Sequence, residues 1–133
     1  WVSIQHSSTF MRVVFRSGDQ EGNELKNIPR RALATAVNLS LSEAFQLSLT
    51  HRHTGSLYLD DENSHETEGY HRFGMRADWN LGPASIFLSG DNLFDRRASS
   101  LGFLSFDPAS GGQVPFVYPI GGRALRAGLA VSG

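Results

Sequence analysis

The chain has 133 residues, room for one domain. Hydrophobic residues make up 40% and charged residues 19%, with a formal net charge of −1, which excludes a disordered polar tail and a strongly basic nucleic-acid binder. Cysteine is absent, so neither a disulfide framework nor thiolate metal ligation is available.

Along the chain the dominant period is two. Residues 2–15 carry a weak alternation that shifts phase near Thr9, which predicts a first strand with a bulge. Residues 32–41 place Leu33, Thr35, Val37, Leu39 and Leu41 on one face, opposite Ala32, Ala34, Ala36, Asn38 and Ser40. In residues 45–59 the odd positions run Phe45, Leu47, Leu49, His51, His53, Gly55, Leu57 and Leu59, while the even positions hold no aliphatic residue. A helix would mix these sets on every face; a strand sends them to opposite sides. Residues 70–81 set Phe73, Met75, Ala77, Trp79 and Leu81 against Tyr70, Arg72, Gly74, Arg76, Asp78 and Asn80. Residues 84–94 are less regular, because Ile86 and Leu88 share a face while Phe87 falls on the other. Residues 123–132 close the series, with Leu125, Ala127, Leu129 and Val131 against Ala124, Arg126, Gly128, Ala130 and Ser132. The pattern predicts about six long strands.

The connections alternate as strictly as the strands. Ser42-Glu43-Ala44 and Gly82-Pro83 are short, whereas residues 16–31, 60–69 and 95–122 are long. Tight turns at one end and extended loops at the other are the habit of a transmembrane barrel, with short periplasmic turns and long outer loops. Phe45 and Trp79 then flank the short turns on the apolar face, where an aromatic girdle would lie. No apolar run approaches the roughly 20 residues of a spanning helix, but barrel strands carry their signal in alternation instead. Six such strands would also suit half of a soluble sandwich or a lipocalin-like barrel. The polar face is mostly Ser, Thr, Asn, Ala and Gly with a few arginines, and Lys26 is the only lysine. That composition fits a lumen lining better than a solvated outer surface. The expected fold is an all-β, antiparallel transmembrane β-barrel segment.

Four motifs add to this reading. Asp91-Asn92-Leu93-Phe94-Asp95 resembles the Asn-Leu-Phe-Asp signature near the end of TonB-dependent outer-membrane receptors. Tyr118-Pro119-Ile120-Gly121-Gly122-Arg123, leading into Leu125-Arg126-Ala127-Gly128-Leu129, looks like the closing segment of that family. Gly22-Asn23-Glu24-Leu25 with Pro29 resembles its loop before a descending strand, and Gly55, Leu59-Asp60-Asp61-Glu62-Asn63 and Gly69-Tyr70 fall in its order. The resemblance implies that residues 1–133 are the C-terminal strands of a receptor barrel of about 22 strands, without the plug domain and the earlier strands. It implies a place in the bacterial outer membrane, in contact with its lipid, and coupling to TonB through the missing N-terminal region. The cargo it implies is a scarce solute, most commonly a ferric siderophore or similar iron chelate. A passive porin and a soluble β-fold that binds a small ligand are the alternatives. Trp1-Val2-Ser3-Ile4 lacks the features of a secretory signal, and Gly133 stands where such barrels usually end in an aromatic.

Within this frame the signature has a structural role, Asn and Asp satisfying backbone groups at a strand end and Leu93-Phe94 anchoring a loop. Tyr58, Tyr70 and Arg72 are expected to face inward near the outer mouth, where arginine and aromatic groups suit an anionic chelate. Phe103, Phe106, Phe116 and Tyr118 in the last long loop could enclose it. Arg72, Arg76 and Asp78 are expected to form a wall network. No catalytic motif is found, neither nucleophile elbow, P-loop nor His-Glu-x-x-His, so no enzyme activity or cofactor is expected. His51 and His53 share a strand face and could chelate, but that face is the lipid one near the headgroups. The acidic stretch Asp60–Glu66 with His65 lacks EF-hand spacing and is expected to be a solvated loop, not a metal site.

Overall fold

The computed structural model describes residues 1–131. Among them are ten strands: β1 (Val2–Phe10), β2 (Arg31–Ser40), β3 (Phe45–Thr54), β4 (Leu57–Tyr58), β5 (Glu66–Thr67), β6 (Tyr70–Asn80), β7 (Ala84–Asp91), β8 (Ser99–Asp107), β9 (Gly112–Pro119) and β10 (Ala124–Val131). The six long alternating stretches form one antiparallel sheet in the order β1-β2-β3-β6-β7-β10. That is an up-and-down meander, and it does not close on itself: β1 and β10 are its edges. The other four strands are two small hairpins, β4–β5 and β8–β9, that lie within connections.

Register sorts the side chains. Ile4, Val37, Leu49, Met75, Gly90 and Leu125 lie opposite one another in a row crossing all six strands. The next row is Val2, Leu39, Leu47, Ala77, Leu88 and Ala127, so the large apolar residues of the six strands, Phe87 apart, fall on one face. A shift of one residue at any pair would turn that strand's apolar set over. Among the described residues no second layer covers this face: Leu49, on a central strand, is 40% exposed and Trp79 52%. In a soluble layered fold such a face is buried against a second layer. Phe45 and Trp79 meet edge to face at 6.2 Å beside the two short turns. The β6–β7 turn needs Gly82, which sits at φ 83°.

The structure departs from the alternation at three places. The first strand ends at Phe10 in unbroken register, without a bulge at Thr9; the chain then leaves the sheet and makes a single bridge, Val14 to Glu24. The third strand stops at Thr54 instead of running to Leu59. Gly55 donates its amide to the Arg31 carbonyl at 2.7 Å, and the chain turns so that Leu57 and Leu59 become the buried hydrophobic residues under the long connections. The third departure is within the long loops, which hold the β4–β5 and β8–β9 hairpins. The irregularity at Phe87 also has a cause. Its ring lies on the polar face, over Gly128 and under the Arg76 guanidinium at 4.4 Å, a cation–π contact. Ser132 and Gly133, the end of the last expected strand and the position matched to a terminal aromatic, lie outside the described residues.

Candidate functional site

The three long connections, 11–30, 55–69 and 92–123, all emerge at one end of the sheet, and asparagine side chains join them. A carboxamide offers a donor and an acceptor in one plane and can replace a missing backbone partner. Asn63 accepts from the Glu24 amide at 2.7 Å and donates to the Glu24 carbonyl at 2.8 Å, tying the second loop to the first. Asn27 does the same for Gly102 of β8, at 2.9 and 3.0 Å, tying the first loop to the third. Its own amide donates to the Tyr58 carbonyl. Both asparagines sit at positive φ, 57° and 60°, a region that Asn visits more readily than most residues. Gly102 must be glycine, because a Cβ would meet the Phe116 carbonyl at 2.5 Å and Leu59 at 3.0 Å.

The Asn-Leu-Phe-Asp signature forms the base of the third loop. Asn92 is 1% exposed; it donates to the carbonyls of Arg96 and Gly121 and accepts from the Arg96 amide. Asp95 Oδ1 accepts from the Arg123 amide at 3.0 Å, closing the loop across 28 residues. Both apolar residues reach the apolar face, unequally buried: Leu93 is half-buried against Gly90, whereas Phe94 is 76% exposed and meets Phe73.

Charges brace the same cap. Glu24 is buried between the Nε atoms of Arg30, at 2.6 Å, and Arg12, at 3.2 Å. The hydrogen bond from Arg30 holds its carboxyl below the ordinary range, against the opposing effect of burial. Burial pushes Asp60 upward, but hydrogen bonds from the Ser64 amide and hydroxyl and the His65 amide outweigh it and leave the group lowered. Asp60 therefore caps its own turn instead of standing in a solvated loop. Lys26 pairs with Asp61 at 2.7 Å. Among the described residues no three His, Asp or Glu stand where they could hold a metal ion.

A carboxylate with a depressed pKa stabilises the fold above its ordinary titration range, and that contribution is lost as pH falls through the folded value. The expected result is a loop cap that loosens as pH drops below the ordinary carboxylate range while the sheet persists. Hydrogen exchange at the Glu24 and His65 amides measures it. A Glu24→Gln variant should begin with less protection at neutral pH and lose less on acidification.

Of the expected contact residues, Tyr70 and Arg72 share the polar face of β6. Tyr58 sits on β4, where its hydroxyl accepts from Arg30 at 3.4 Å and its ring receives the Arg30 guanidinium at 5.6 Å. No described side-chain contact joins the three to one another. Arg72 pairs with Asp91 on the neighbouring strand, and Arg76 is bidentate to Asp78 at 2.8 and 2.6 Å. Asp91 was not read from the sequence as a partner, since its reach to Arg72 runs diagonally between strands.

His51 and His53 do lie on the apolar face, at its long-loop end, and His71 joins them. His51 Nε2 and His71 Nδ1 are 2.8 Å apart, the His53 and His71 rings 4.3 Å, and Phe73 stacks on His51 at 4.7 Å. Phe103, Phe116 and Tyr118 line one face of the β8–β9 hairpin, with the Phe103 and Phe116 rings stacked at 5.9 Å and exposed.

The fold so described is an open, six-stranded antiparallel sheet with an interlocked cap of loops at one end. No family model and no characterised protein matches the sequence. Solved structures do match the fold. The ferric yersiniabactin uptake receptor FyuA from Yersinia pestis is similar over 98% of this chain, at TM-score 0.81 and 20% identity. The ferric citrate transporter FecA is similar over 95%, at 0.77 and 20%, and the siderophore receptor PiuA from Acinetobacter baumannii over 96%, at 0.73 and 17%. The chain spans only about a fifth of those receptors, 21%, 20% and 18% of their lengths. In fold, then, it resembles a part of proteins named as a ferric yersiniabactin uptake receptor, a ferric citrate transporter and a siderophore receptor.

Proposed function

We propose that residues 1–133 are a wall segment, with its loops, of an outer-membrane receptor that takes up a scarce solute with energy delivered by TonB. The observation that carries the reading is the apolar face, aligned by register across six strands and left uncovered, as a lipid-facing wall requires. Its opposite face is polar and lined with arginine, as a lumen wall would be. Similarity in fold to proteins named for ferric yersiniabactin, ferric citrate and siderophores supports an iron chelate as the solute. Tyr58, Tyr70 and Arg72 stand at the long-loop end, where the chelate would arrive from outside the cell. Contact with TonB would fall to parts of the protein other than this chain.

A passive porin would share the wall but not the energy coupling, and a soluble ligand binder would need a cover for the apolar face. The test is uptake of a panel of radiolabelled ferric siderophores by cells that depend on the full-length protein. Accumulation of one of them, abolished by deletion of TonB, is the expected result. Accumulation that persists without TonB would make the protein a porin, and no accumulation of any would remove the iron-chelate reading.

A further inference from the structure

We infer that Arg52 and Arg72 form a subsite for an anionic group, a carboxylate or a phosphate, on the polar wall. This deepens the receptor reading above and rests on it, since it requires the polar face to line a water-filled lumen.

The two arginines are direct partners across β3 and β6. Side chains so placed have Cβ atoms about 4.5–5.5 Å apart, and like charges at that spacing destabilise a sheet. One carboxylate serves the pair: Asp91, bound to Nη2 of Arg72. The Arg52 side chain is exposed and has no hydrogen-bond or ionic partner among the described residues. The Nε–H of Arg72 is buried and lacks an acceptor. Two guanidinium groups, one free and one with an unused donor, thus share a place that is short of negative charge.

The neighbouring rows fit the same ligand. On the loop side Tyr70 stands opposite Thr54, and on the other side Thr50 stands opposite Gly74, its hydroxyl leaning over the glycine. These hydroxyls add neutral donors above and below the arginines. The inward positions of the long strands carry Arg52, Arg72, Arg76 and Arg126 against Asp78 and Asp91, an excess of two positive charges. Arg76 differs from the upper pair, because Asp78 binds it bidentately and Phe87 covers it. The deficit of negative charge is sharpest at Arg52 and Arg72, whose planar donor sets match carboxylate and phosphate oxygens.

Asp91 makes the inference testable, because it would compete with the incoming anion for Arg72. Citrate and inorganic pyrophosphate, titrated calorimetrically into the purified full-length protein at low salt, probe the carboxylate and phosphate arms. Arg52→Gln should weaken the better-bound anion about tenfold, with Arg52→Lys between it and the parent, while Asp91→Asn should tighten binding severalfold. Arg126→Gln, at a separate row, should stay within about twofold. Binding of neither anion, no change in Arg52→Gln, or weaker binding in Asp91→Asn would overturn the subsite. A membrane-impermeant maleimide applied to Arg52→Cys in liposomes separates the two levels. Labelling is expected from a wet lumen wall. Labelling without anion binding would overturn the subsite alone, and failure to label would overturn the lumen reading with it.

Discussion

On the proposed lipid-facing assignment, Leu49→Arg should destabilise the assembled protein by roughly 2–4 kcal/mol, the cost of a cationic side chain near the bilayer midplane. Leu49 lies mid-strand in the row with Val37 and Met75, and each neighbour in that row is apolar or glycine. There is no polar partner there for a guanidinium. Ser48→Arg, one residue away, should cost far less. Its side chain projects to the polar face, where the substitution removes one hydrogen bond to Asn38 at 2.6 Å, worth about 1 kcal/mol, and sets a second arginine opposite Arg76. Urea titration of the full-length protein folded into liposomes measures both. Equal losses, or a larger loss at Ser48, would show that the lipid face has been assigned to the wrong side.

Asn92→Leu is expected to cost about 3 kcal/mol, the sum of two effects. The nearly isosteric leucine leaves the Arg96 amide and the carbonyls of Arg96 and Gly121 without their partner in a buried place. It also puts a residue without a carboxamide at φ 49°, where strain of about 1 kcal/mol is usual. Asn92→Gly loses the same bonds but relieves the strain, so it should fall between leucine and the parent. The damage should be local. Exchange at the Arg96 amide should accelerate in both variants while amides in the middle of β3 remain protected. Full protection of Arg96 in Asn92→Leu would mean that the loop base is held from elsewhere.

The six long strands and the alternation of short and long connections are legible in the sequence because both depend on local order. A period of two needs no knowledge of the partner strand. The same logic misleads at Leu57 and Leu59, where alternation runs on past Gly55 although the backbone has already left the sheet. The hairpins β4–β5 and β8–β9 are hidden for a related reason: β4 and β5 are two residues each, and β8 is seated by Asn27, 75 residues away. The function of the Asn-Leu-Phe-Asp signature as a loop base was readable, but the unequal burial of Leu93 and Phe94 was not. Arg72 was recognised as a candidate, yet its opposite neighbour Arg52 emerges only when register pairs them, and the third histidine beside His51 and His53 emerges in the same way.

The asparagine ties between the loops grip main chain rather than side chains: the amide and carbonyl of Glu24 in one case and of Gly102 in the other. Every residue except proline presents those two groups. Apart from the glycine required at position 102, substitutions on the grasped side leave these bonds in place, whatever else they disturb. The side chains displayed by the grasped loops can therefore change without unlatching the cap. Substitutions should cost most at Asn27 and Asn63, which hold one loop to another, and at Asn92, which holds the base of the third.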